Sequence, residues 1–120
     1  MADLPLVDLQ SIANLRELNP GDNDEFLREI IAIYLEDTPA RIAELDQSLL
    51  AGDVPKFTRA AHSIKGSSSN LGAMSVRGIA ETLEHHSSKH GLTDVAGSIA
   101  ILKQEFAKTQ VELSKFLTTP

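Results

Sequence analysis

The sequence predicts an all-α protein, an antiparallel up-down-up-down four-helix bundle preceded by a short N-terminal helix. Apolar residues recur at intervals of three and four along nearly the whole chain, the spacing of a buried helical face. The period-two alternation of Val, Ile and Thr that marks strands is missing, and so are Asn-Gly and Asp-Gly hairpin turns. The breaks between periodic stretches are short, so consecutive long helices are expected to be antiparallel neighbours.

The first segment runs from about Asp8 to Glu17, with Leu9, Ile12, Ala13 and Leu15 apolar and Asp8 as a candidate N-cap; Asn19-Pro20-Gly21 breaks the chain after it. The second is expected to begin at Asp22, with Glu25 three residues on in the form of a capping box. Its stripe is Phe26, Ile30, Tyr34, Thr38, Ile42, Leu45 and Leu49, a helix of about seven turns. Pro39 falls inside this stripe and should kink the helix or split it; a kink is favoured because the stripe stays in phase. Ala51-Gly52-Asp53 closes the segment. Asp53 is then the expected N-cap of the third, with Pro55 in its first turn. Phe57, Ala60, Ala61, Ile64, Ser68 and Leu71 form its buried face, and Gly72 its C-terminal cap. The fourth runs from about Ser75 to Ser88, with Val76, Ile79, Ala80 and Leu83 inward and Gly91 beyond its end. The fifth starts near Thr93 and places Val95, Ile99, Leu102, Phe106, Thr109, Leu113 and Phe116 at the alternating steps of bundle packing. Thr118-Thr119-Pro120 is expected to fray.

Length and composition bound the function. The chain of 120 residues is expected to form a single domain, residues 1–120. With no Cys, it has no disulfide framework, thiolate nucleophile or Cys-ligated metal. The formal charge of −6 argues against a nucleic-acid or anionic-membrane surface. The longest strictly apolar run, Ile30 to Leu35, is far short of a membrane span. The opening MADLPLVDLQ lacks the basic and apolar regions of a secretory signal. A soluble, cytoplasmic monomer is the expectation, and Met1 with no linker-like sequence favours a free-standing protein.

One histidine stands on the wrong face for a core residue. The neighbours of His62 at helical spacing are Thr58, Arg59, Lys65 and Gly66, with Ser69 one step further. All are polar or lack a side chain, and the apolar stripe is centred on the other side. Gly66 needs a reason there, because a glycine inside a helix costs about 1 kcal/mol relative to alanine. Four residues from His62, any side chain would partly cover the imidazole, and Gly66 leaves it open to something bulky. Lys65 brings an ammonium near whatever the ring carries, and lysine is a good point charge for phosphate. Together these features suit a histidine that accepts a phosphoryl group.

The stretch Ala61-His62-Ser63-Ile64-Lys65-Gly66-Ser67-Ser68-Ser69-Asn70-Leu71-Gly72-Ala73 resembles the signature of histidine-containing phosphotransfer (HPt) domains, A-H-x-x-K-G-S-S-x-x-L-G-A. The length, the five-helix order and the place of the motif on the third helix are similar too. The resemblance implies that His62 is phosphorylated, that Lys65 assists with the phosphoryl group, and that Gly66 gives a partner access. It also implies a Gln or Glu on the fourth helix, about 22 residues after the histidine, hydrogen-bonded to the imidazole Nδ1; that position is Glu84. A carboxylate accepting from Nδ1–H would fix the tautomer and leave the Nε2 lone pair outward. Arg77, Glu81, Glu84 and Ser88 share the polar face of that helix, so Glu81, one turn back, is a rival for the role.

The chain has neither a P-loop nor a G-x-G-x-x-G motif, so it is not expected to bind ATP or phosphorylate itself. The resemblance implies response-regulator receiver domains as partners, which supply a phospho-aspartate and Mg²⁺, with a sensor histidine kinase, hybrid or not, in the same relay. The domain itself would be a phosphocarrier without a cofactor, not an enzyme. Arg59, Ser69 and Arg77 are expected to flank the docking site, with the cations meeting an acidic receiver pocket. The second helix has another apolar stripe, Leu27, Ile31 and Leu35, which is either covered by the first helix or offered to a partner. The docking expectation includes Ile12, Leu15 and Ile31 as a patch beside the imidazole. A different chemistry would use His86 and His90, a H-x-x-x-H pair that binds Zn²⁺ if a third ligand joins it, but no E-x-x-H motif accompanies them.

Overall fold

A computed structural model describes residues 6–117. The expected fraying of Thr118–Pro120 and the reading of the first five residues lie outside the described residues. Five helices follow in order: α1 (Leu9–Leu18), α2 (Glu25–Ala51), α3 (Val54–Leu71), α4 (Met74–His90) and α5 (Ala96–Ser114). No strand occurs among the described residues. α3 packs most extensively on α4 and then on α2, while α5 closes the ring against α4 and α2. This is the antiparallel four-helix bundle, with α1 laid across α2 and α3.

Two helix starts are capped as expected. The Asp8 side chain accepts from Gln10 N–H at 3.2 Å, and the Asp53 side chain accepts from Lys56 N–H at 3.1 Å. The start of α2 differs. It begins at Glu25, after Asn23 and Asp24 pass through the left-handed region at φ 57° and 63°. Asn and Asp tolerate that conformation better than other non-glycine residues. Asp22 still contributes, from outside the helix, by accepting from Phe26 N–H at 3.1 Å. α5 also starts later than expected, at Ala96. The Thr93 hydroxyl donates to the His90 carbonyl at the end of α4, so it does not cap α5.

α2 runs unbroken through Pro39. Its buried stripe is Leu27, Ile31, Tyr34, Thr38, Ile42, Leu45 and Ser48. Phe26 and Ile30, expected inside, are half-buried. A row of strict four-residue steps drifts around a helix whose repeat is about 3.6 residues, whereas mixed steps of four and three stay on one side. The drift moves Phe26 and Ile30 off the core and brings in Leu27 and Ile31. This corrects the expected docking patch. Ile31 is fully buried and Ile12 is 1% exposed, both in the central cluster, and α1 packs on α2 and α3. Leu15 is half-buried against the same cluster.

The turn between α3 and α4 anchors α1. Gly72 has φ 69°, and its carbonyl accepts from Asp8 N–H at 2.7 Å. A Cβ on Gly72 would lie 2.6 Å from Ser11 Cβ, so glycine is required here by conformation and by contact. Deeper inside, the Tyr34 hydroxyl is 2.8 Å from Ser68 Oγ, and the Tyr34 ring packs on Phe106 with centroids 5.9 Å apart. Tyr34 thus ties α2 to α3 and α5 at mid-bundle. Burial pushes its phenol up to about 12, against the pull of the hydrogen bond with Ser68.

Candidate functional site

The buried face of α3 is Phe57, Ala60, Ala61, Ile64, Ser68 and Leu71, which turns His62 to the opposite side. Its side chain is 65% exposed. One turn of α4 faces it across the helix pair. Glu84 Oε2 is 2.6 Å from His62 Nδ1, and Glu84 Oε1 is 2.6 Å from Lys65 Nζ. A single carboxylate therefore spans the imidazole and the ammonium. Nδ1–H donates to it, which leaves Nε2 with the lone pair. Among the described residues Nε2 makes no hydrogen bond. Burial pushes the Glu84 carboxyl up, but hydrogen bonds from Lys65 and His62, with the charge of Lys65, outweigh it and hold the group below the usual carboxylate range.

Nothing lies within 4 Å of where a Gly66 Cβ would stand. The missing side chain is not imposed by packing within this chain, and the space over the ring is open. Glu81 does not reach the histidine; it lies 3.9 Å from Arg77 Nη1. Arg77 Nε donates to Ser69 Oγ at 2.8 Å, and Ser69 Oγ donates to the Lys65 carbonyl at 2.9 Å. Arg77 is thereby fastened to α3 one turn beyond Lys65. Arg59 is exposed one turn before His62. Ile12 of α1 and Ile31 of α2 are buried in the core and line no surface.

Sequence reasoning missed what locks α3 to α4 beside the site. Thr58 Oγ1 and Ser87 Oγ are 2.7 Å apart, and Ser87 Oγ donates to the Glu84 carbonyl at 3.1 Å. The signal was available: Ser87 is four residues on from Leu83, on the inward face of α4. Beside these residues runs an open groove of about 310 Å³ lined by Thr58, Lys65, Glu81, Glu84, His85 and Ser88. At the far end of α4, the His86 and His90 rings are 5.3 Å apart, and His86 Nε2 is 2.6 Å from the Thr93 carbonyl, to which it donates. No group of three His, Asp or Glu among the described residues is placed to hold a metal ion.

The profile of the Hpt domain family matches residues 29–112, which includes the whole His62–Lys65–Glu84 cluster. The chain belongs to the Hpt domain family. Its family and relatives place it among histidine-containing phosphorelay intermediates. It is similar to multistep phosphorelay regulator 1 of Schizosaccharomyces pombe, with 33% identity over 72% of this chain. It spans only 29% of the length of that regulator. It is also similar to histidine-containing phosphotransfer protein 4 of Arabidopsis thaliana, with 26% identity over 89% of this chain and 86% of the plant protein. Among solved structures, histidine-containing phosphotransfer protein B of Pseudomonas aeruginosa superposes with a TM-score of 0.84 at 28% identity, covering 94% of this chain and 95% of that one. The five-helix Hpt architecture described above is thus shared across nearly the whole chain.

Proposed function

We propose that this Hpt domain carries its phosphoryl group on Nε2 of His62, taking it from the phospho-aspartate of one response-regulator receiver domain and passing it to the aspartate of another. The observation that carries this reading is the exposed ring whose Nδ1 lies 2.6 Å from Glu84, with Nε2 facing outward. The Nε2 lone pair attacks phosphorus in line. The N–P bond forms as the P–O bond to the aspartyl oxygen breaks, and the receiver's carboxylate leaves. Nδ1 keeps its hydrogen throughout, and the ring gains positive charge against the Glu84 carboxylate. The onward transfer reverses these steps on a second receiver.

The domain contributes the nucleophile, its orientation and open access; the receiver contributes Mg²⁺ and the neutralisation of the in-line transition state. On this reading the domain is a carrier without a cofactor of its own, and catalysis resides in its partners. A sensor histidine kinase, hybrid or not, feeds the relay. The docking face is polar rather than apolar, formed by Arg59, Lys65, Ser69 and Arg77. Its cations attract an acidic receiver pocket locally, although the whole chain carries −6. That net charge disfavours nucleic acid and anionic membranes as partners, and no helix among the described residues is long and apolar enough to cross a membrane. A cytoplasmic monomer is the form we propose.

Incubation with a phosphorylated receiver domain tests the reading. The protein should acquire a phosphate that is acid-labile and base-stable, and His62→Gln should acquire none while keeping its helicity. Equal labelling of both proteins would place the site elsewhere.

A further inference from the structure

The two donors on Glu84 stand on the same side of the chemistry. Lys65 Nζ and His62 Nδ1 are each 2.6 Å from one of its two oxygens. An ammonium held there sits toward the Nδ1 edge of the imidazole, while the reacting nitrogen is on the other edge. Lys65 and His62 are one helical turn apart on one face of α3, which lets both reach a single carboxylate arriving from α4. That carboxylate is 22% exposed. Without Lys65, one of its oxygens would be left half-buried with no donor, and the side chain would gain by swinging to solvent. Swinging away also removes the acceptor that selects the Nδ1–H tautomer.

We propose that Lys65 is a positioning residue. It acts on His62 through Glu84, holding the carboxylate against Nδ1–H so that Nε2 keeps its lone pair outward, and does not act by touching the transferred phosphoryl group. The proposal rests on the reading of His62 as the phosphorylated residue, but its first test does not depend on transfer. The arrangement also suits the product. After transfer the ring is positive, and Glu84 lies between two cations that both favour its ionised form.

The first measurement is ¹⁵N NMR of the imidazole in histidine-labelled full chain, titrated to the neutral ring. The wild type should hold His62 as the Nδ1–H tautomer. Lys65→Met should shift the population toward the Nε2–H form by roughly tenfold, the effect of losing one charge-assisted hydrogen bond. Lys65→Arg, which keeps a charged donor, should restore it. Thermal melts identify any variant that fails to fold, and Lys65→Gln then takes its place. The second measurement is the rate of phosphoryl transfer from a receiver. Lys65→Met should slow it in the wild type and change it little in a Glu84→Gln background, where a neutral amide accepts from Nδ1–H without needing the ammonium. An unchanged tautomer in Lys65→Met, or the same slowing factor in both backgrounds, would assign Lys65 to the phosphoryl group and overturn the proposal. If the wild type takes up no phosphate on His62, the reading of the site fails while the tautomer result still stands by itself.

Discussion

Two glycines six residues apart, Gly66 within α3 and Gly72 at its C-terminal end, are there for opposite reasons. At Gly72 the chain is closed: φ is 69°, and an added Cβ would lie 2.6 Å from Ser11 Cβ in α1. At Gly66 the chain is open: the backbone is helical and nothing stands within 4 Å of an added Cβ. One glycine serves the fold, seating α1 on the α3–α4 turn. The other weakens its own helix and leaves free space over an exposed imidazole. Gly72 is explained by contacts within the chain, and Gly66 is not.

Substitution should separate the two. Gly72→Ala meets both a left-handed backbone and a steric block, and should cost about 3 kcal/mol in urea unfolding. Adding Ser11→Gly should return only part of the loss, because the Asp8 carbonyl, 3.0 Å from the added Cβ, and the left-handed backbone remain. Gly66→Ala should do the reverse, raising stability by roughly 0.5–1 kcal/mol because alanine is the better helix former. It should also slow phosphoryl transfer from a receiver. Equal destabilisation by both substitutions would erase the distinction.

Two carboxylates extend the comparison with smaller effects. In the site, burial opposes and the Lys65 and His62 hydrogen bonds hold Glu84 below the usual carboxylate range. In the scaffold, hydrogen bonds from Ser75 and then Lys108 hold Glu105 down. Each folded value lies below the unfolded one, so each group's contribution is complete above the ordinary carboxyl value of about 4.3 and is lost as pH falls through the folded value. Both are partly solvated, so each is worth below about 1 kcal/mol. Urea midpoints measured between neutral pH and about pH 3 should therefore fall less steeply in Glu84→Gln and in Glu105→Gln than in the wild type. Only Glu84→Gln should also alter transfer; a matching change from Glu105→Gln would blur the boundary between scaffold and site.

Much of this was legible from residue types alone. Asp8 and Asp53 announced two helix starts, and the polar surroundings of His62 put it outside the core. The chemistry of Gly66 followed from the same face. What escaped depended on distance across the bundle. A stripe of mostly four-residue steps, from Phe26 to Leu49, drifts slowly off the core face of α2, so Ile31, expected at the docking surface, lies inside. Ile12 followed it, because the helix that covers Ile31 buries its own apolar side. Glu81 and Glu84 share one polar face at the helical repeat, so spacing by itself left both as partners for His62; the packing of α3 on α4 brings only Glu84 within reach. Long side chains such as Lys65 choose their partner from neighbours on another helix, and no pattern along α3 reveals that Nζ ends on Glu84.

The most direct test is where the phosphorus sits. Protein phosphorylated by a receiver domain, labelled with ¹⁵N in its histidine rings, should show ¹⁵N–³¹P coupling at Nε2 of His62 and a retained hydrogen at Nδ1. Coupling at Nδ1, or at a ring of His85, His86 or His90, would contradict the account.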